Sequence, residues 1–336
     1  GLCGFSRQTD PGPSDERRRN EREERVIQST QTERGPVSTY EKISMRLVAA
    51  FCRLIPIRSG IGTMSQSLSS RFPGLRKSVE IPCKLRNRVR ITARLDDYNG
   101  RMLYLFGTPD PKIVSICKGL LRPGDVFLDI GANYGSVAFL VHDAVRPDGW
   151  VHLVEPQPEL GDRIEEVISQ NRIEHMTLHR CGLWDEEGEF YITGSQTHTG
   201  TASISETPVS EDSHRVEVRN AKDFLRETTN GNAYGAKLDV EGAEARLLPE
   251  LLSHPGFRFV LFESHDQEVK AFVQSKMSDQ SRAYYGVCRS LFRTRLFRIA
   301  NKEDVQNAHD ILAVQLAKDT NHARIWSVRD LRNSMA

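Results

Sequence analysis

The sequence predicts an α/β protein built on a mostly parallel sheet with helices on both faces. Three observations lead there. From Arg122 onward, short apolar runs alternate with stretches of helical periodicity. The first run, "VFLDI" (126–130), passes straight into a turn carrying Gly131 and Gly135, and a new apolar stretch opens behind it. The second, "VHLVEP", ends in Glu155, about 20 residues on, where nucleotide-binding sheets place an acid.

The elements follow in order. Residues 1–38 are polar and dense in mixed charge, the composition of a disordered leader. From Thr39 to about Leu68, Ile43, Leu47, Val48, Phe51 and Leu54 recur at three- and four-residue steps, which predicts a helical segment that packs on the main domain or lies on a membrane surface; packing is favoured, because its polar face is not notably basic. "SVEIPCKL", "RVRITARL" and "RMLYLFG" within 78–107 read as two or three short strands, and "PDPKIVSICKGLL" as a helix capped by Asp110. Strands are expected at 126–130, 151–155, 176–181, 235–240 and 257–263, and helices at about 135–145, 159–171 and 242–253. Between the third and fourth strands, "EFYITGSQTHTGTASI" and "HRVEVRNAKDFL" suggest a hairpin or extended loop. "LFRIA" and "DILAVQL" would add two last strands joined by a polar link. This divides the chain into a leader (1–38), helical and strand additions (39–115), a main domain (116–320) and a tail (321–336).

Composition narrows the function. With 38% apolar residues in 336, the chain has ample material for a core. Its 46 basic and 45 acidic residues leave a formal charge of +1, so no overall field steers it to nucleic acid. Six scattered cysteines with no CxxC pair predict neither a zinc site nor a disulfide framework, and suggest a reducing, cytoplasmic setting. The longest early apolar stretch, "LVAAFCRLIPI", falls short of the roughly 20 residues that span a bilayer, and Arg53 interrupts it.

The chemistry sits at strand ends, where open parallel sheets bind ligands. Gly131 and Gly135 let the backbone bend and a ligand approach closely. The spacing D-x-G-x-x-x-G, with Asp129 at its head, lacks the middle glycine of a pyrophosphate-binding turn. An acid there suits an ammonium group and repels a phosphate. Glu155 is placed to accept hydrogen bonds from a ribose. A ribose, a cationic amino-acid end and no pyrophosphate describe S-adenosylmethionine. Gly182 and Leu183 are candidates for the adenine pocket, and Trp184 either covers the base or belongs to the core. "AKLDVEGAE" (236–244) delivers Lys237, Asp239 and Glu241 to one side if the strand persists, with Glu244 in the first helical turn. "VLFESHD" brings Glu263, His265 and Asp266 nearby. So many ionisable groups at two strand ends are costly unless they bind or catalyse. The bland alternative is a lysine–carboxylate bridge plus a capping acid.

The motifs "FLDIGANYGSVA", "VHLVEPQPE", "GLWDEEGEFYI", "KLDVEGAE" and "VLFESH" resemble, in this order, those of the FkbM-type methyltransferases, over roughly residues 95–270. The resemblance implies a class I methyltransferase Rossmann-like fold and S-adenosylmethionine as cofactor. It implies that Asp129, Gly131, Asn133 and Gly135 hold the methionine part and Glu155 the ribose. It further implies methylation of hydroxyl oxygens on small molecules such as sugars or polyketide-like metabolites; no nucleic acid is expected as partner, on the balanced charge and the lack of an aromatic-basic stripe. A hydroxyl acceptor needs a base, and the candidates are Asp239, His265 and Glu241, with no metal assigned. Competing readings are a nicotinamide-dependent oxidoreductase, which the missing glycine and Asp129 oppose, and a binding module without chemistry, which the acid cluster opposes.

Overall fold

The computed structural model describes residues 37–195, 198–205, 207–208, 213–240, 242–279, 281–288, 290–317 and 327–335. The leader expected at 1–38 lies outside these residues except for Val37 and Ser38, and Glu241 also lies outside them.

The segment read as one helix from Thr39 is two: α1 (Thr39–Leu54) and α2 (Ile61–Arg71). Ser38 and Glu41 form a reciprocal capping box that starts α1. Pro56, which cannot continue a helix, and Gly60, in the left-handed region at φ 81°, separate the pair. Met45, Ala49 and Cys52 bury one face of α1. An antiparallel hairpin follows, β1 (Glu80–Lys84) and β2 (Arg90–Arg94).

The third strand expected here, "RMLYLFG", is instead a helix, α3 (Tyr98–Phe106). Asp97 caps it, accepting from the Gly100 N–H at 2.7 Å. Arg101 through Phe106 are all buried. A run buried on every side carries no alternation, so the period that separates strand from helix is lost. Helix α4 (Pro111–Leu120) starts as the sequence predicts, with Asp110 accepting from the Lys112 N–H at 2.7 Å and Pro111 in the first turn.

The alternating part of the chain builds the main sheet. In chain order its elements are β3 (Val126–Ile130), α5 (Ser136–Val141), β4 (Trp150–Val154), α6 (Pro158–Asn171) and β5 (Met176–His179). A side sheet interrupts: β6 (Gly182–Trp184), β7 (Gly188–Ser195), β8 (His198–Ser205) and β9 (His214–Asn220), ordered β6-β9-β7-β8. The strand expected at 176–181 thus ends at His179, and the hairpin expected beyond it is β7–β8. Next come α7 (Ala221–Thr229), β10 (Tyr234–Leu238), α8 (Glu244–Ser253) and β11 (Phe257–Glu263). The chain closes with α9 (Gln267–Lys276), β12 (Arg282–Cys288), β13 (Arg295–Arg298), α10 (Lys302–Asn307), β14 (Asp310–Gln315) and α11 (Val328–Ser334). The link between the last two strands, read as merely polar, contains α10, which opens with an Asn301–Asp304 capping box.

The eight strands lie in the order β13-β12-β14-β11-β10-β3-β4-β5. β11, β10, β3, β4 and β5 pair in parallel, and β14 enters antiparallel between β11 and β12. Side chains alternate across this sheet. Phe127, Phe259 and Leu261 join the apolar cluster with α3 to α6, while Leu128, Val260 and Phe262 join the one with α7 to α9. Order, direction and two-sided cover are those of the class I methyltransferase Rossmann-like fold. All strand ends of β3, β4, β10 and β11 that matter chemically therefore open on one edge.

Candidate active site

At that edge the turn after β3 is held from three sides. The Gly131 and Ala132 N–H groups donate to the Val154 carbonyl at 3.1 and 3.0 Å. Gly131, Asn133 and Gly135 all adopt left-handed backbone, at φ 74°, 52° and 66°. Gly131 also needs the space: a β-carbon there would lie 1.9 Å from the Asp239 carbonyl oxygen. Gly131→Ala is therefore expected to cost at least about 1–3 kcal/mol of stability and to weaken cofactor binding, as read by thermal melting and calorimetry.

Glu155 clamps the same turn. It is 3% exposed, and its two oxygens accept from the Asn133 N–H at 2.7 Å and the Gln157 N–H at 2.9 Å. Burial pushes its carboxyl up to about 7, against the pull of those backbone donors.

Asp129 and Lys237 are register partners on adjacent strands and share a face. The sequence reading has Asp129 aimed at a ligand; the structure corrects this. Its side chain is fully buried, with one oxygen accepting from the Ala138 N–H at 3.0 Å and the other 3.5 Å from Lys237 Nζ. Burial raises the Asp129 carboxyl above the usual range, and Lys237 opposes that. Lys237 Nζ in turn donates to the Gly131 carbonyl at 2.8 Å and pairs with Asp239 at 3.0 Å. Burial alone would pull the ammonium down; Asp239 and Asp129 together outweigh it and hold it above the ordinary lysine value. One buried cation thus ties the glycine turn to both carboxylates. The Asp239 side chain remains 40% exposed, so it is the member of this set that meets solvent.

Strand β10 ends at Leu238, so it does not persist through Asp239. Glu244 clasps the loop that follows, accepting from the Val240 N–H at 3.2 Å and the Gly242 N–H at 3.1 Å, and burial raises its carboxyl to about 7. His265 is exposed at the end of β11, 3.6 Å from Glu263 and stacked edgewise on His309, and among the described residues no ion pair joins it to Asp239. Asp266 caps α9 through the Glu268 N–H at 2.8 Å. Gly182 and Leu183 lie buried in β6, and Leu183 packs within the apolar cluster. Trp184 is core: Phe190 lies 5.4 Å from its ring and Arg246 stacks on it at 5.0 Å. The Asp97–Tyr98 corner and the buried Tyr134 went unread in the sequence; Tyr134, inside the glycine turn, carried a signal only as a large apolar residue between two glycines. Among the described residues no group of three or more His, Cys, Asp or Glu is placed to hold a metal.

The sheet order and the strand-end turn define a class I methyltransferase. The chain belongs to the FkbM methyltransferase family: residues 129–299, just over half of its 336, match the Methyltransferase FkbM domain. A protein-L-isoaspartate O-methyltransferase from Methanopyrus kandleri is 37% identical over 84 residues, 24% of this chain and 35% of that protein. The match thus spans about a third of that curated relative's length. Among solved structures, methyltransferase FkbM from Methylobacillus flagellatus is 12% identical, with 75% of this chain and 60% of that one covered and a TM-score of 0.35. The O-methyltransferase TomG from Streptomyces achromogenes, solved with S-adenosylmethionine, is 14% identical over 61% of this chain and 78% of its own, with a TM-score of 0.34.

S-adenosylmethionine is the cofactor that membership of the FkbM methyltransferase family implies. The residues present fit it. Glu155 offers a desolvated acceptor, the left-handed turn leaves room for close approach, and the donor set is carboxylate rather than phosphate-binding.

Proposed function

We propose that the chain transfers a methyl group from S-adenosylmethionine to a hydroxyl oxygen of a small molecule, a sugar or a polyketide-like metabolite. The observation that supports it best is the half-exposed Asp239 carboxylate, fixed by buried Lys237 beside the glycine turn. Glu155 accepts from the ribose hydroxyls, and Gly131, Asn133 and Gly135 shape the turn around the methionine part. Asp129 acts from below by holding Lys237 and the start of α5. Gly182 and Leu183 contribute to the adenine side through their place at the head of the side sheet.

When bound, S-adenosylmethionine supplies an electrophilic methyl group. The chain's own work is to orient the acceptor in line and to take its proton. Asp239 is the base in this reading, His265 is the second candidate, and Glu241 is the third. In this reading residues 39–115 are additions to the 116–320 domain, 321–336 is a tail, and the setting is cytoplasmic. No helix of the described residues is long and apolar enough to cross a membrane.

Incubation with methyl-labelled cofactor and a panel of hydroxylated, amino and carboxyl acceptors tests the reading. Label on a hydroxyl oxygen supports it; label appearing on nitrogen or carboxylate alone overturns the oxygen assignment.

Glu155 gives a separate test. Its folded pKa of about 7 lies above the ordinary 4.5, so the native chain keeps a proton that the unfolded chain has lost. This carboxyl's contribution to stability is full below 4.5 and is lost as pH rises through about 7. Hydroxyl donors favour the ionised form, so cofactor binding below about 7 is expected to release a proton. Calorimetry in two buffers of different ionisation enthalpy reads that release, and Glu155→Gln should abolish it.

A further inference from the structure

Most of the large apolar side chains left exposed lie on α1. On α1 they are Tyr40, Ile43, Leu47, Phe51 and Leu54, each more than half exposed. At helical spacing they fall within an arc of roughly 80° and run about 21 Å along the axis. Met45, Ala49 and Cys52, which dock α1 on the protein, point the other way. The sequence reading has this helix packed, and it is; but the periodic residues that predict the helix are mostly on its uncovered side.

A second apolar point stands beside it. Leu291 and Phe292 are 57% and 63% exposed in the turn before β13. The Arg58 N–H donates to the Leu291 carbonyl at 2.5 Å, which fixes this tip against the segment leaving α1. Of the large exposed hydrophobic residues described, only Trp150 lies elsewhere.

Exposed cations accompany both apolar points. Lys42 and Arg46 are exposed along α1, and Arg293, Arg295 and Arg298 are exposed around the tip. Between Asp279 and Glu303 the sequence holds no acidic residue. The formal charge of +1 for the whole chain conceals this local excess.

We propose that this face docks the protein on an anionic lipid surface, with the α1 stripe and the Leu291–Phe292 tip entering the headgroup boundary and the flanking cations meeting lipid phosphates and carboxylates. A helix with an apolar stripe and flanking cations lies in the interface plane rather than across it. The charge chooses this occupant over a second copy. Two copies joined by this face would set these cations against their own counterparts, with no acid between Asp279 and Glu303 to offset them. An exposed apolar stripe of this kind marks a surface that something covers.

The experiment uses the full chain and sedimentation with vesicles. One set is pure phosphatidylcholine and the other is phosphatidylcholine and phosphatidylserine in equal parts. The expected result is binding to the mixed vesicles, weakening with salt, and much less to the neutral ones. Leu47→Ser with Phe51→Ser should cut the partition about ten-fold or more, and Arg293→Glu with Arg295→Glu should remove the preference for the anionic set. Both variants should keep the wild-type melting temperature and affinity for S-adenosylmethionine. No binding by the wild type, or binding that Leu47→Ser/Phe51→Ser leaves intact, overturns the proposal. So does a concentration-dependent dimer that the serine variant dissolves, which makes the face a contact between copies. A fall of melting temperature in that variant also overturns it, because the stripe is then covered within the chain itself.

Discussion

Lys237→Met is expected to lower stability by about 3–5 kcal/mol and to abolish cofactor binding. The lysine is 8% exposed and faces a fully buried Asp129 across the strand pair. Removing the cation leaves that carboxylate without its counter-charge inside the sheet, where ionisation is costly and the group takes up a proton instead. It also frees the Gly131 carbonyl and the Asp239 carboxylate, so the glycine turn loses its tie to β10. The double variant Lys237→Met/Asp129→Asn separates the causes. If stranded charge is the main cost, the double variant regains much of the stability in urea unfolding while cofactor binding stays weak. A double variant no more stable than the single one would mean that packing of the lysine stem, not charge, is what the sheet loses.

Asp239→Asn is expected to reduce turnover by about 10²- to 10⁴-fold, the usual worth of a general base. Stability should change little. The Lys237–Asp239 pair is partly solvated, with the Asp239 side chain 40% exposed, and such pairs contribute about 1 kcal/mol or less. The comparison of turnover with melting temperature is therefore clean. A fully active Asp239→Asn would move the proton-accepting role to His265, and His265→Gln would then carry the loss.

The central sheet was legible because its inner strands are buried on both faces, and β11 is buried from Phe257 to Phe262 and apolar there except for Arg258. Such runs stand out against the amphipathic helices between them. The glycine turn and Glu155 were legible for the same reason: they punctuate those runs. The α3 helix was not, because "RMLYLFG" is also an unbroken buried run and nothing local separates it from a strand. Strand β12 was missed since "RAYYGVC" is split by Gly286, whose missing side chain makes room for the Phe297 ring; a β-carbon there would come within 2.1 Å of it. The orientation of Asp129 was beyond a linear reading. Its partner Lys237 lies 108 positions away, and only the β3–β10 register reveals that the two neutralise each other. The lysine bridge and the acid at the start of α8 were legible as the alternative reading of that cluster, whereas the capping role of Asp266 was hidden because a helix-start acid and a catalytic acid look alike in sequence.

The antiparallel entry of β14 between β11 and β12 has a consequence for biogenesis. Both flanking strands leave the ribosome before the strand that joins them. Until residues 310–315 emerge, β11 presents an unpaired rim and the β12–β13 ribbon has no seat. Among the described strands β14 is the last to be synthesised, so this half of the sheet is expected to mature only after β11, β12 and β13 have been made and residues 310–315 have followed them.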